Sequence, residues 1–313
     1  MKKYYNNFCL VGLGNHSINK LIPAMSLSNG NLVSIVTRKK TFYDNLTTYK
    51  NLETALKKLN KNTIIVLCTP PKIREKQIIL CLKNSFSVIS EKPMFVDMKS
   101  LEIAYAMIKE NKLFLFENYM YLYSNTFTKF SSYFFKYKNK ITKININFTI
   151  PNFPLNSFRS NQTLDENIIY DIACYPISLI NFLKIKINNI DLMKVNKKKN
   201  NFLFLISTEN FKLEINVGIG NRYQNLLCIY LNSNKYDLLK FNYFFYGIEK
   251  KKKIFIYKNK KKLKEENYLD FNAFTKIFNF SHNELSKLGN SYSISKKNTK
   301  LMNGLFKLVN SSY

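Results

Sequence analysis

Apolar residues recur along the chain with two different periods, and the change falls near residue 120. Before it, short apolar runs at 8–12, 31–37, 63–68, 87–89 and 113–116 have the length and content of strands. Between them, 17–27, 52–59, 76–83 and 100–109 space their apolar residues as a helix does. Leu52, Ala55, Leu56 and Leu59 are an instance. Strand and helix in alternation predict βαβ units and a parallel sheet.

Beyond Glu117 the pattern shifts. An aromatic-rich helical stretch covers 119–137, and 143–149 then alternates Ile and Phe with Lys, Asn and Thr. That period of two marks a half-buried strand, and similar strands follow at 202–207, 211–217, 226–232, 237–241 and 253–257. A helical segment at 168–183 interrupts them, and another closes the chain at 298–309. The fold class is therefore α/β: an N-terminal Rossmann domain over 1–120, and a C-terminal α+β domain with an open, mostly antiparallel sheet over 121–313. With helices on one face of that sheet, Ile144, Ile146 and Phe148 or their neighbours line the other. An open apolar face predicts a homodimer, or a tetramer, through it.

With 46% hydrophobic and 22% charged residues the composition is globular. No apolar run approaches the ~18 residues of a membrane helix, and the N-terminal apolar patch lacks a small-residue cleavage site. Both point to a cytoplasmic protein. The net charge of +29 raises nucleic acid as a partner, but only four of the 49 basic residues are Arg: Arg38, Arg74, Arg159 and Arg222. Base and phosphate readout leans on the planar fork of Arg. The Lys clusters at 197–199, 250–253 and 260–262 read as solvated turns and edges. Five widely spaced cysteines form no CxxC pair, and with two His there is no metal-ligand spacing. They read as reduced, buried thiols.

Between the first strand and first helix stands Gly12-Leu13-Gly14-Asn15-His16-Ser17. Gly12 allows a tight turn, Gly14 lets the backbone approach a pyrophosphate, and the helix starting near Ser17 points its positive end at it. Ser17 stands where Gly or Ala is usual. An acid at the end of the second strand would read the ribose 2′-hydroxyl of NAD. Here Thr37-Arg38-Lys39-Lys40 suits a 2′-phosphate, so NADP(H) is the preferred cofactor and NAD(H) the second choice.

The third strand ends Thr69-Pro70-Pro71, and later segments read Glu91-Lys92-Pro93, Glu117-Asn118-Tyr119-Met120 and Asp171-Ile172-Ala173-Cys174-Tyr175-Pro176. Together with the glycine turn, these occur in the order found in the Gfo/Idh/MocA oxidoreductases, which nearly the whole chain resembles. The stretch 154–176, with Phe158-Arg159, looks most like the branch of sugar-nucleotide 3-ketoreductases and surface-sugar enzymes. The resemblance implies an NAD(P)-dependent oxidoreductase working on a keto or hydroxyl carbon of a sugar. It implies that Lys92 polarises the carbonyl, Tyr175 donates the proton and Asp171 orients a substrate hydroxyl or Lys92. Thr69, Pro70, Glu91 and Lys92 would join the glycine turn, Thr37 and Arg38 in holding the cofactor. Asn118 and Arg159 would join Lys92, Asp171 and Tyr175 in holding the substrate. A cis peptide at Lys92-Pro93 is expected, and no metal. Three features depart from the pattern. Asp165-Glu166-Asn167 replaces a run of three glycines, and Arg74 and Tyr123 each replace His. They leave open a second reading, a drifted relative that binds nucleotide or a protein partner without turnover.

Overall fold

The chain forms two compact units in the computed structural model, which describes residues 6–39, 46–152, 163, 166–196, 200–220, 222–289 and 291–311. The first comprises Met1–Met120 with Asn272–Thr299, the second Tyr121–Phe271 with Lys300–Tyr313.

Strands β1 (Asn6–Val11), β2 (Gly30–Val36), β3 (Thr47–Tyr49), β4 (Thr63–Leu67), β5 (Val88–Glu91) and β6 (Leu115–Asn118) make one parallel sheet in the order β3-β2-β1-β4-β5-β6. Its connections are α1 (Ile22–Ser26), entered through a π-helical turn at Ser17–Leu21, α2 (Leu52–Lys58), α3 (Pro71–Lys83) and α4 (Met98–Asn111). Parallel strands are covered on both faces, which is why β4 reads as an unbroken apolar run. Val11, Ile65, Leu67, Val88 and Leu115 from the sheet pack with Leu56, Ile78 and Leu101 from the helices. Each such side chain contributes roughly 1.5–3 kcal/mol by leaving water. The helix starts are capped from the sequence: Asn51 accepts from the Thr54 N–H at 2.9 Å and Asp97 from the Ser100 N–H at 2.8 Å.

Asn272–Thr299 adds α7 (Ala273–Asn279), α8 (His282–Gly289) and the start of a last helix (Tyr292–Asn310). Phe278 meets Phe8 edge to face at 5.2 Å, His282 meets Phe114 at 4.8 Å, and the Asn6 side chain donates to the Phe280 carbonyl at 2.7 Å.

The second unit carries α5 (Asn125–Tyr137), α6 (Cys174–Phe182) after a second π-helical stretch at Asn167–Ala173, and eight strands. These are β7 (Ile141–Ile150), β8 (Ile187–Asn196), β9 (Asn201–Thr208), β10 (Lys212–Ile219), β11 (Gln224–Leu231), β12 (Leu238–Asn242), β13 (Lys250–Lys258) and β14 (Lys261–Asp270). Their order is β14-β13-β12-β11-β7-β10-β9-β8, and the β7–β10 pair alone is parallel.

One expectation for this sheet is corrected. Ile144, Ile146 and Phe148 lie on its buried face, where Phe148 packs on Tyr175 and Phe245. Their neighbours line the other face, and these are polar. Lys143 and Asn145 donate to Glu214 at 2.7 and 3.2 Å, Asn147 donates to Asn145 at 3.0 Å, and Asn216 donates to Asn147 at 3.1 Å. Alternation identifies an apolar face but not the side on which the helices lie. Beside this ladder runs a groove of about 800 Å³ lined by Cys228, Tyr230, Lys240 and Tyr257 among others.

Candidate active site

At the carboxyl end of β1, Gly12 has φ +95° and a Cβ there would lie 2.8 Å from the Cys68 carbonyl oxygen, so only glycine fits. A Cβ on Gly14 would meet nothing within 4 Å, which leaves room for a phosphate against the backbone. Ser17 is buried and its hydroxyl donates to the Gly12 carbonyl at 2.6 Å. The serine thus ties the turn to the helix start, a bond that Gly or Ala could not make. The helix opens with an α-type bond, the Ile18 N–H on the Gly14 carbonyl at 3.0 Å, and then widens into a π-helical turn over Ser17–Leu21 rather than the expected α-helix. Such widened turns are rare and concentrate at functional sites. Asn15 and His16 are exposed on it.

The end of β2 stands on one side of this turn. Thr37 is buried, with its N–H on the Tyr49 carbonyl and its hydroxyl accepting from Lys39 N–H. Arg38 is exposed and makes no hydrogen bond or ion pair among the described residues. Lys40 lies outside the described residues.

On the other side stand the ends of β4, β5 and β6, and here buried charge collects. Lys92 is half-buried and follows β5 in a loop whose Lys92-Pro93 bond is cis, as expected. Three charged side chains pin that loop by its backbone. Arg74, buried on α3, donates from its Nη1 to the carbonyls of Glu91 and Pro93, the latter at 2.8 Å. Its Nε and Nη2 donate to the Thr69 carbonyl at 2.9 and 2.5 Å. Glu117 accepts from the Met94 N–H at 2.8 Å. Glu75 accepts from the Val96 and Asp97 N–H groups, the latter at 2.9 Å. Pro70 is the N-cap residue of α3, and the Thr69 hydroxyl donates to Gln77 at 2.5 Å.

Glu91 is buried at the end of β5, in register with Asn118 of β6. It receives the Asn118 amide at 2.7 Å and stands 3.3 Å from His16 Nε2. Burial would raise its pKa, but His16, Arg74 and Lys92 together outweigh burial and hold it below the usual range. His16 in turn rests edge-on against Phe274 at 5.5 Å. The glycine turn and the Lys92 loop are thereby joined through one carboxylate. Glu117 keeps some exposed surface, yet burial of its carboxyl dominates and pushes its pKa up to about 7. The Asn118 side-chain oxygen is buried with no hydrogen-bond partner among the described residues.

In the second unit, Asp171 lies in the π-helical stretch and Tyr175 one step into α6. Asp171 is half-buried and Tyr175 is 8% exposed. The Tyr175 ring is fixed between Phe148 at 5.2 Å, Phe245 at 5.6 Å and Tyr121 at 6.0 Å. Tyr123 is half-buried in the same unit, its pKa raised by burial. Glu166 precedes the π-helical stretch as its N-cap residue and Asn167 begins it, whereas Arg159 and Asp165 lie outside the described residues.

Gly12, Gly14, Asn15, His16, Ser17, Thr69, Pro70, Glu91, Lys92 and Asn118 thus gather at one edge of the first sheet, and Asp171 with Tyr175 on one helix of the second unit. Sequence reasoning missed Arg74 as a positioning group, along with Glu75 and Glu117. A scarce Arg one turn into the helix after Thr69-Pro70 was the available signal.

No curated protein matches this sequence. Residues 6–119 match the model of an oxidoreductase family, Gfo/Idh/MocA, with an NAD-binding Rossmann fold. The chain is similar in structure to KijD10, a 3-ketoreductase from Actinomadura kijaniata in complex with NADP and TDP-benzene, at 16% identity, 96% coverage of both chains and a TM-score of 0.80. It is also similar to an aldose-aldose oxidoreductase from Caulobacter crescentus (10% identity, 98% of both chains, TM-score 0.77). A third likeness is to a dehydrogenase from Chromobacterium violaceum (11% identity, 96% and 94% covered, TM-score 0.74). At these identities the likeness is one of fold. The glycine turn at the switch point of a parallel sheet agrees with the match of residues 6–119 to the NAD-binding Rossmann domain of that family.

Proposed function

We propose that this chain is an NADP(H)-dependent oxidoreductase acting on a keto or hydroxyl carbon of a sugar or sugar nucleotide, in modified-sugar or surface-polysaccharide synthesis. The observation that carries the reading is Lys92, a cation on a loop pinned by three charged side chains beside the glycine turn. The likeness in fold to a 3-ketoreductase bound to NADP and TDP-benzene supports the substrate class. In this reading the first unit binds dinucleotide and the second binds substrate.

The residues present fit a nicotinamide dinucleotide. Gly12 and Gly14 leave backbone and space for a diphosphate, and the buried Asn118 oxygen is an acceptor awaiting a donor such as a carboxamide. Asn15, His16 and Ser17 continue that cradle, Thr37 and Arg38 take the ribose phosphate, and Thr69, Pro70, Glu91 and Lys92 border the other half. When bound, the nicotinamide supplies or accepts a hydride at the substrate carbon. Lys92 stabilises negative charge on the substrate oxygen, as an oxyanion-hole cation does. Tyr175 gives that oxygen its proton. Asp171 accepts from a substrate hydroxyl, and Asn118 and Arg159 complete the substrate contacts. The five cysteines form no disulfide, which suits a reducing cytoplasm. Pairing of two copies through the open sheet face belongs to the same proposal. It rests on the groove beside the ladder, whose lining includes Leu226, Leu238 and Tyr257, and a monomer in light scattering at micromolar concentration would remove it.

The test is absorbance at the nicotinamide band with NADPH and a panel of nucleotide-linked keto-sugars. Lys92→Met and Tyr175→Phe should each lower turnover by roughly 10²-fold with NADPH affinity nearly unchanged. Tight NADPH binding with no turnover on any keto-sugar would favour the non-catalytic alternative. Arg38→Asp should reverse the NADPH-over-NADH preference, because it removes a charge-assisted contact worth about 1.5–3 kcal/mol and repels the phosphate. An unchanged ratio of the two dissociation constants would show that Arg38 does not read the phosphate.

A further inference from the structure

We propose that Arg74 is a positioning residue for the nicotinamide half of the dinucleotide site, its guanidinium holding the β4 turn and the Lys92 loop at one fixed spacing. The inference rests on the dinucleotide reading above. Arg74 is 4% exposed, and its guanidinium donates to the backbone carbonyls of Thr69, Glu91 and Pro93. Burying a guanidinium is costly, and neutral carbonyls compensate its charge less than a carboxylate would. Glu91 and Glu117 supply that compensation, since each feels its charge. An aliphatic side chain would fill the space more cheaply. What only the planar fork provides is a rigid link between two loops approached from different directions.

Strand order says which part of a ligand this link serves. β4 and β5 lie on one side of β1, and β2 lies on the other. A dinucleotide crossing the carboxyl ends, with its diphosphate at Gly12–Gly14 and one ribose at the end of β2, extends its second nucleoside over β4 and β5. Arg74 therefore governs that second half and leaves the adenosine half alone. Replacement by Lys keeps the charge but offers a point donor that cannot reach both loops in fixed geometry.

The experiment compares two probes on the full chain: NADPH by its fluorescence and adenosine 2′,5′-bisphosphate by calorimetry, against wild type, Arg74→Lys and Arg74→Met. Arg74→Met should weaken NADPH by about tenfold or more, and Arg74→Lys by at least about threefold, while the bisphosphate stays within about twofold of wild type. Equal weakening of both probes would make Arg74 a general structural residue and overturn the proposal. So would unchanged NADPH affinity. If Arg74→Met does not fold, by circular dichroism, the Lys variant carries the same comparison. Wild type binding neither probe would instead overturn the dinucleotide reading itself.

Discussion

Each unit buries a cation, and the two are housed differently. In the second unit Lys252 is 1% exposed and pairs with Asp270 at 2.7 Å, while its remaining bond goes to the Tyr246 carbonyl at 2.8 Å. Asp270 is equally buried and also accepts from the Asn125 N–H at 2.7 Å and the Thr126 hydroxyl at 2.6 Å. Tyr268 closes the group on Thr126 at 2.9 Å. Every charge there meets its opposite, and the cluster fastens α5 to the sheet edge. In the first unit Arg74 bridges two loops through their backbone carbonyls, the nearby Asn118 oxygen has no partner among the described residues, and burial pushes Glu117 up to about 7. A satisfied network fixes a fold. One that holds a loop from several sides and leaves an acceptor such as the Asn118 oxygen unmet suits a place that a ligand completes.

The sharpest way to break this contrast is Lys252→Met. Removing one partner strands Asp270, which should cost about 3–5 kcal/mol in denaturant unfolding. NADPH affinity should not move; a change of several-fold would make the second cluster a site element too.

A smaller effect is expected at Glu117. Its carboxyl is raised from 4.5 to about 7 in the folded chain, so across that window the folded state holds a proton that the unfolded state has released. The folded state binding more protons means that stability falls as pH rises through the window, by at most about 3 kcal/mol. Glu117→Gln should flatten this slope between pH 5 and 8 in urea midpoints. An unaltered slope would mean that the carboxyl titrates normally. The smallest effect belongs to Asp97, which caps α4 directly after the Lys92 loop. Asp97→Ala should cost about 1 kcal/mol of thermal stability and leave NADPH binding within about twofold.

Much of the fold was legible because burial writes itself into spacing. β1 and β4 are covered on both faces and read as apolar runs. β8 and β14, at the two edges of the second sheet, were not legible. β14 is exposed over most of its length, and with neither face deeply buried no alternation is imposed. β6 runs two residues later than its apolar run suggests, because Glu117 and Asn118 stay in the ladder opposite Ser90 and Glu91. In the site, the glycine turn was legible because positive φ selects glycine. Arg74 was not, because bonds to backbone carbonyls demand nothing of the residues that supply them.

The return of Asn272–Thr299 to the first unit has a consequence for biosynthesis. Phe8 and Phe114 are fully buried in the finished protein, yet Phe278 and His282, which pack on them, lie about 150 residues further along the chain than Met120. At translation rates of about 5–20 residues per second, the ribosome needs roughly 8–30 s to cover that distance. Through that interval the nascent parallel sheet stands without part of its cover, and the intervening unit must emerge before it can be finished. A nascent chain stalled near residue 120 would present those aromatic faces to chaperones, and release of the ribosome past residue 299 would withdraw them.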